Sequence, residues 1–175
     1  MNPTPVTDSL EPSRRWLALA VLALAQFMLF LDETVVNVAL PSIKEGLGFS
    51  QAGLAWVIDA YILLFGGFLL LGGRAADILG RRRIFLLGTA LFGLASLLAG
   101  LAQSQQLLIG ARALQGIGAA LATPAALALV TTLFPEGKER AKALGIWGAL
   151  PAWASLAACS SAGSSPTSSN GAGSS

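Results

Sequence analysis

The sequence predicts an all-α integral membrane protein, a partial helical bundle of four clear transmembrane helices and a marginal fifth. Three observations predict it: 54% of the 175 residues are hydrophobic and 11% charged, the apolar residues fall in long runs, and the basic residues sit between those runs. A soluble domain of this size needs more polar surface to cover itself.

Residues 1–15 are polar, contain Pro3, Pro5 and Asp8, and end in Arg14-Arg15 before Trp16, as a cytoplasmic tail meeting an interfacial anchor would. The first span is 16–40. At 1.5 Å per residue its length reaches about 37 Å, enough to cross a hydrocarbon core of about 30 Å with tilt. Ala23-Leu24-Ala25 imitates a signal-peptide cleavage site, but the apolar run continues past it. Further spans follow at 54–73, 84–102 and 107–134, with a shorter one at 143–158 that completes a transmembrane region of 16–158. Residues 159–175 are Ser, Gly, Ala, Pro and Thr with Cys159 and Asn170, a low-complexity tail expected to be disordered.

Nine Lys and Arg residues lie in the N-terminal tail and the second and fourth loops, while Lys44 alone lies in the opposite loops. That asymmetry places the N-terminus in the cytoplasm and the protein in the cell inner (plasma) membrane as a multi-pass chain. A net charge of +2 with no continuous basic face argues against a nucleic-acid partner. The chain has no histidine and one cysteine, so His-based triads and His or Cys metal sites are absent. No nucleophile and base can be placed together, and no enzyme, cofactor or metal site is expected.

Four ionisable residues interrupt the spans: Asp32 and Glu33 in the first, Asp59 in the second and Arg112 in the fourth. A charge near a helix centre costs about 2.5–3.5 kcal/mol on insertion scales, so each needs a partner, a wet cavity or a changed protonation state. Helical rise places Asp32, Asp59 and Arg112 at one depth, about 6–8 Å below the outer boundary, where they are expected to meet. Gln26, Glu33 and Asn37 share one helical face, a polar stripe suited to a cavity, and Asp32 is turned about 100° from Glu33. Trp56 and Tyr61 flank Asp59 as interfacial belt residues would, a second reading of that acid.

The segment GGRAADILGRRR between the second and third spans resembles the cytoplasmic signature loop of the major facilitator superfamily. Gly73, Asp77, Gly80, Arg81 and Arg82 occupy matching positions, and Ile78 stands where the pattern usually has a basic residue. Physically, glycines permit a tight turn and arginines hold it at an anionic surface. LDETVVNVALP and LLIGARALQGIGAALATP are similar to signatures of the drug:proton antiporter branch with 14 helices. The resemblance implies proton-coupling or transport roles for Asp32, Asn37, Pro41, Arg112, Gln115, Gly116, Gly118 and Ala119. Glu33 sits where the motif varies, so the stripe and the resemblance point to different acids, and the three matched segments favour Asp32. Gly116 and Ala120 form a small-residue pair that lets the fourth span approach a neighbour, and Gly118 and Ala119 share that packing role.

The function implied is proton-coupled efflux of drugs or other small molecules by alternating access, with the proton-motive force as energy source and no cofactor. An apolar cavity favours a neutral carboxyl and a nearby guanidinium favours a charged one, so changing their separation loads and releases a proton. Expected partners are the lipid bilayer, a small-molecule substrate if the chain is completed to full length, and helix–helix association with itself or a related transporter. The resemblance covers residues 16–149; beyond Gly145-Ile146-Trp147-Gly148 the expected Gly- and Pro-rich signature is replaced by ALPAWASLAACSS. The expectation is an N-terminal fragment, truncated or frame-changed after about residue 150 and inactive alone. The alternative is a small structural or regulatory membrane protein that oligomerises or docks on a full-length transporter.

Overall fold

The computed structural model describes residues 12–134 and 137–162, with the side chains of 12, 13, 47, 154, 155 and 157–162 outside that description. The described residues form five helices: α1 (Pro12–Leu47), α2 (Gln51–Leu79), α3 (Arg81–Gly100), α4 (Gln105–Leu133) and α5 (Lys138–Ala162). No strand occurs among them. In hydrocarbon a helix satisfies its own backbone, which is why apolar segments this long take that form. Four helices, α1 to α4, are long and apolar enough to cross a membrane; α5 is not among them.

The spans 16–40, 54–73 and 143–158 lie inside helices, while 84–102 and 107–134 end just past theirs, at Gly100 and Leu133; elsewhere the helices run further than the apolar runs. The segment 74–83, read as a loop, is helical except at Gly80, whose φ of 99° makes the corner between α2 and α3. Hydropathy marks where hydrocarbon ends, whereas Ala, Leu, Asp and Arg beyond that limit still support helix. Of the two expected tails, 12–15 belong to α1 and 159–162 to α5, while 1–11 and 163–175 lie outside the described residues. Ser50 and Ser104 start α2 and α4 by accepting hydrogen bonds from Gly53 N (3.1 Å) and Leu107 N (3.3 Å).

α4 is the central helix, packed along α2 on one side and α3 on the other, while α1 rests mainly on α5 and more lightly on α4. Small residues on two edges of α4 permit this. A Cβ at Gly116 would lie 2.5 Å from the Tyr61 carbonyl oxygen of α2, and one at Gly118 would lie 2.7 Å from Phe92 N of α3. Pro124 has no N–H, so the Ala120 carbonyl four residues earlier lacks its usual helical donor. That carbonyl faces Gly72, the one residue type whose Cα can come so close. The shared core includes Leu22, Phe85, Phe92, Ala119, Val130 and Phe134. Around it the outer faces expose large apolar side chains, Leu70 at 86% for instance, as lipid-facing surfaces do.

Gly118→Ala forces α3 away from α4 and is expected to lower resistance to SDS-induced unfolding by about 1–3 kcal/mol, the usual range for overpacking. Gly93 on α3 has open space around it. Gly93→Ala, measured alongside, is expected to be neutral or slightly stabilising.

Candidate functional site

Arg112 projects from α4 into the bundle and is 2% exposed. The turn of α4 places Gln115 on the same side three residues on, 1% exposed. Leaving a guanidinium there is costly unless its donors find acceptors, and Nη1 and Nε do. Nη1 donates to Asp32 Oδ2 of α1 at 2.7 Å and to Gln115 Oε1 at 3.0 Å, and Nε donates to the Val57 carbonyl of α2 at 3.4 Å. The guanidinium carbon also lies 4.5 Å above the centroid of the Tyr61 ring, a cation–π contact.

Asp32 is satisfied from the other side. Gln115 Nε2 donates to both of its oxygens, at 2.9 and 3.0 Å, and to Ser96 Oγ of α3 at 2.8 Å; Ser96 Oγ in turn donates to Asp32 Oδ1 at 3.5 Å. The amide of Gln115 is therefore oriented by charge, its oxygen toward the cation and its nitrogen toward the anion. The Asp32 side chain keeps 22% exposure, so one edge of the pair is open.

Asp32, Arg112 and Gln115 are thus brought together. Asp59 is not with them: it is exposed and lines a surface hollow with Trp56, Ile62 and Leu63. Val57 and Tyr61 turn toward Arg112 at i and i+4, and Asp59, midway between them in sequence, necessarily points to the opposite side of α2. The belt reading of Tyr61 is corrected by its burial beneath Arg112, at 6% exposure. The spacing of Val57, Tyr61 and Phe65 was the available signal. Ser96 also escaped the sequence reading, and a serine in an apolar run gives no signal by itself.

Glu33, one residue from Asp32, is half-buried and lines a recess of about 320 Å³ between α1, α2 and α4. Gln26 is in the same recess, donating to Thr123 Oγ1 at 3.4 Å; Asn37, the third member of the stripe, is exposed and donates to the Glu33 carbonyl at 3.0 Å.

At the α2–α3 corner, Arg81 pairs with Asp77 across 3.7 Å and donates to the Ala128 carbonyl (3.2 Å) and to Thr132 Oγ1 of α4. The corner is thereby fastened to the end of α4, whose carbonyls favour a cation. A Cβ at Gly73 would meet Pro124 at ordinary contact, Ile78 is exposed, and Arg82 lines a groove with Leu22 and Phe85.

The family model of the Major Facilitator Superfamily matches residues 22–164. The chain belongs to the major facilitator superfamily. It is 58% identical over 137 residues to a puromycin resistance protein of Streptomyces alboniger, covering 78% of this chain and 27% of that protein. It is 51% identical over 129 residues to a cephamycin export protein of Amycolatopsis lactamdurans, covering 74% and 26% respectively. Against a multidrug resistance protein of Mycobacterium tuberculosis the identity is 46% over 134 residues, 77% of this chain and 25% of that one. The chain spans about a quarter of the length of the curated relatives it matches. As a superfamily member with four membrane-length helices it is a multi-pass membrane protein.

Removing one partner of the buried pair strands the other. Asp32→Ala is expected to cost about 3 kcal/mol against SDS-induced unfolding, the low end of the range for buried pairs because the carboxylate is 22% exposed. Replacing both partners, Asp32→Leu with Arg112→Met, is expected to be less damaging than Asp32→Ala alone.

Proposed function

We propose that this chain forms one wall of a proton-coupled exporter of drugs or other small molecules, working by alternating access and driven by the proton-motive force. The single observation that supports this most is the 2.7 Å pair between Asp32 on α1 and Arg112 on α4, partly open at the carboxylate and closed around the guanidinium. The relatives' names as drug resistance and export proteins support the transport reading, and the basic asymmetry of the loops supports a cytoplasmic N-terminus in the inner membrane.

In this reading the ionised Asp32 ties α1 to α4. A proton arriving at the exposed edge of the carboxylate neutralises it and removes the ionic part of the tie. Arg112 remains held by Gln115 Oε1, the Val57 carbonyl and the Tyr61 ring, so its charge is still sheltered. Among the described residues the other polar links between α1 and α4 are the bonds from Gln115 Nε2 to the Asp32 carboxyl, at 2.9 and 3.0 Å, and the 3.4 Å bond from Gln26 to Thr123. Protonation therefore loosens α1 against the α2–α3–α4 block, a local step suited to rocking one helical group against another.

A chimera carrying the 137 matched residues in place of the corresponding part of the Streptomyces alboniger protein tests this in everted vesicles with an imposed proton gradient. Adding puromycin is expected to release protons from vesicles bearing the chimera and not from vesicles bearing its Asp32→Asn or Arg112→Gln forms. Undiminished proton release from Asp32→Asn would remove the coupling role of that residue.

A further inference from the structure

Protonation of Asp32 removes a charge and creates a need. In the ionised state every hydrogen bond at the carboxylate runs toward it: Arg112 and Gln115 donate to its oxygens, and Ser96 Oγ donates to Oδ1 across 3.5 Å. Once neutral, the same group carries an O–H that has to find an acceptor, and a donor left without one inside a bundle costs more than a typical hydrogen bond contributes.

The acceptors within reach are few. Among the described residues Asp32 bonds Arg112, Gln115 and Ser96. A guanidinium accepts nothing. Gln115 Oε1 already takes Arg112 Nη1 at 3.0 Å, and turning the amide over would set its two N–H donors against the cation. Ser96 remains. A hydroxyl has one donor and two acceptor sites; Gln115 Nε2 fills one acceptor site at 2.8 Å, which leaves the other for a proton on Asp32. Oδ1 is the oxygen for that proton, because Ser96 approaches it while Oδ2 lies 2.7 Å from Arg112. The displaced Ser96 O–H has a place to go as well. Thr89 on the same helix and Thr34 on α1 donate to the carbonyl four residues earlier, at 2.8 and 2.6 Å, and the corresponding carbonyl for Ser96 is that of Phe92.

We propose that Ser96 is a positioning residue for the transported proton: its hydroxyl reverses, donating to ionised Asp32 and accepting from protonated Asp32, so the carboxyl is satisfied in both states. This rests on the proton-coupling reading above. A proton from water enters at the open edge of the carboxyl and forms the O–H bond at Oδ1; Ser96 Oγ–H swings to the Phe92 carbonyl, and Oδ2 stays with Arg112 and Gln115. At 3.5 Å the Ser96 bond is the longest at the ionised carboxylate, so its loss there costs little, whereas the protonated form depends on it. Removing the hydroxyl therefore penalises the protonated form and lets the proton go at lower pH. The charged groups around Asp32 do not change with Ser96. Arg112 faces it from α4 with the Tyr61 ring of α2 behind; Glu33 is turned toward the recess and Asp59 away from the site. α3 has its arginines at 81–83, and α5 has its charges, Lys138, Glu139, Arg140 and Lys142, in its first five residues.

Infrared difference spectra of the purified full chain in detergent, recorded across pH, test the assignment. Subtracting the spectra of Asp32→Asn isolates the stretch of the protonated Asp32 carboxyl. Ser96→Ala is expected to lower the pH midpoint of that band by about one unit, tenfold in proton affinity, and to move the band to higher frequency as the O–H loses its acceptor. Ser96→Thr retains the hydroxyl and is expected to keep the wild-type midpoint and frequency. Far-UV circular dichroism checks that the variants are equally helical, since a purely structural serine would change stability and neither property of the band. An unmoved midpoint in Ser96→Ala would give the hydrogen to water at the open edge and overturn the proposal. So would a raised midpoint, or a Ser96→Thr chain that behaves as Ser96→Ala does. Those failures leave the Asp32 band in place, whereas a wild-type chain without the band at any pH would remove Asp32 as the proton carrier and the coupling reading with it.

Discussion

A guanidinium cannot sit unaccompanied between apolar helices, and satisfying Arg112 recruits every helix that surrounds it. Its counter-ion comes from α1, a second acceptor from Gln115 on its own helix, and a carbonyl and an aromatic face from α2. Gln115 extends the same network to Ser96 on α3. Four helices are therefore held in register at one polar point. In low dielectric such a network is worth having only when complete, and no buried side-chain polar atom is left without a partner among the described residues.

The backbone has to come close for those short side chains to reach. Gly116 and Gly118 on α4 and Gly72 on α2 remove the Cβ atoms that would hold the helices apart, and Pro124 turns the Ala120 carbonyl loose at the point where Gly72 arrives. In hydrocarbon, close van der Waals packing of this kind replaces the hydrophobic drive that operates in water. It is unevenly distributed: α2, α3 and α4 share intimate contacts, while α1 touches α4 lightly. The attachment of α1 to that block consequently combines the buried Leu19, Leu22 and Leu29 with the Asp32–Arg112 pair.

What was legible in the sequence follows the same division. Spans could be read because hydropathy runs are long, and Asp32 and Arg112 because charges interrupt them. The ends of the helices could not be read, since Arg74 to Leu79 carry helix-compatible residues past the apolar limit and only Gly80 breaks the chain. Depth alone assembled Asp59 with Arg112, but depth is one coordinate; the azimuth around α2 sends Tyr61 inward and Asp59 outward. Gln115 came from motif resemblance. Ser96 and Thr123 were hidden because hydroxyls within apolar helices often satisfy themselves on their own backbone, as Thr89 does on Phe85.

The two adjacent acids show how much a single helical step decides. Asp32 faces a guanidinium, an amide and a hydroxyl, so its charge is spoken for within the fold. Glu33, rotated about 100° away, meets aromatic rings, Gln26 and Thr123 with no cation in reach. Charge in hydrocarbon is tolerated where something answers it, and for Asp32 the answer is internal.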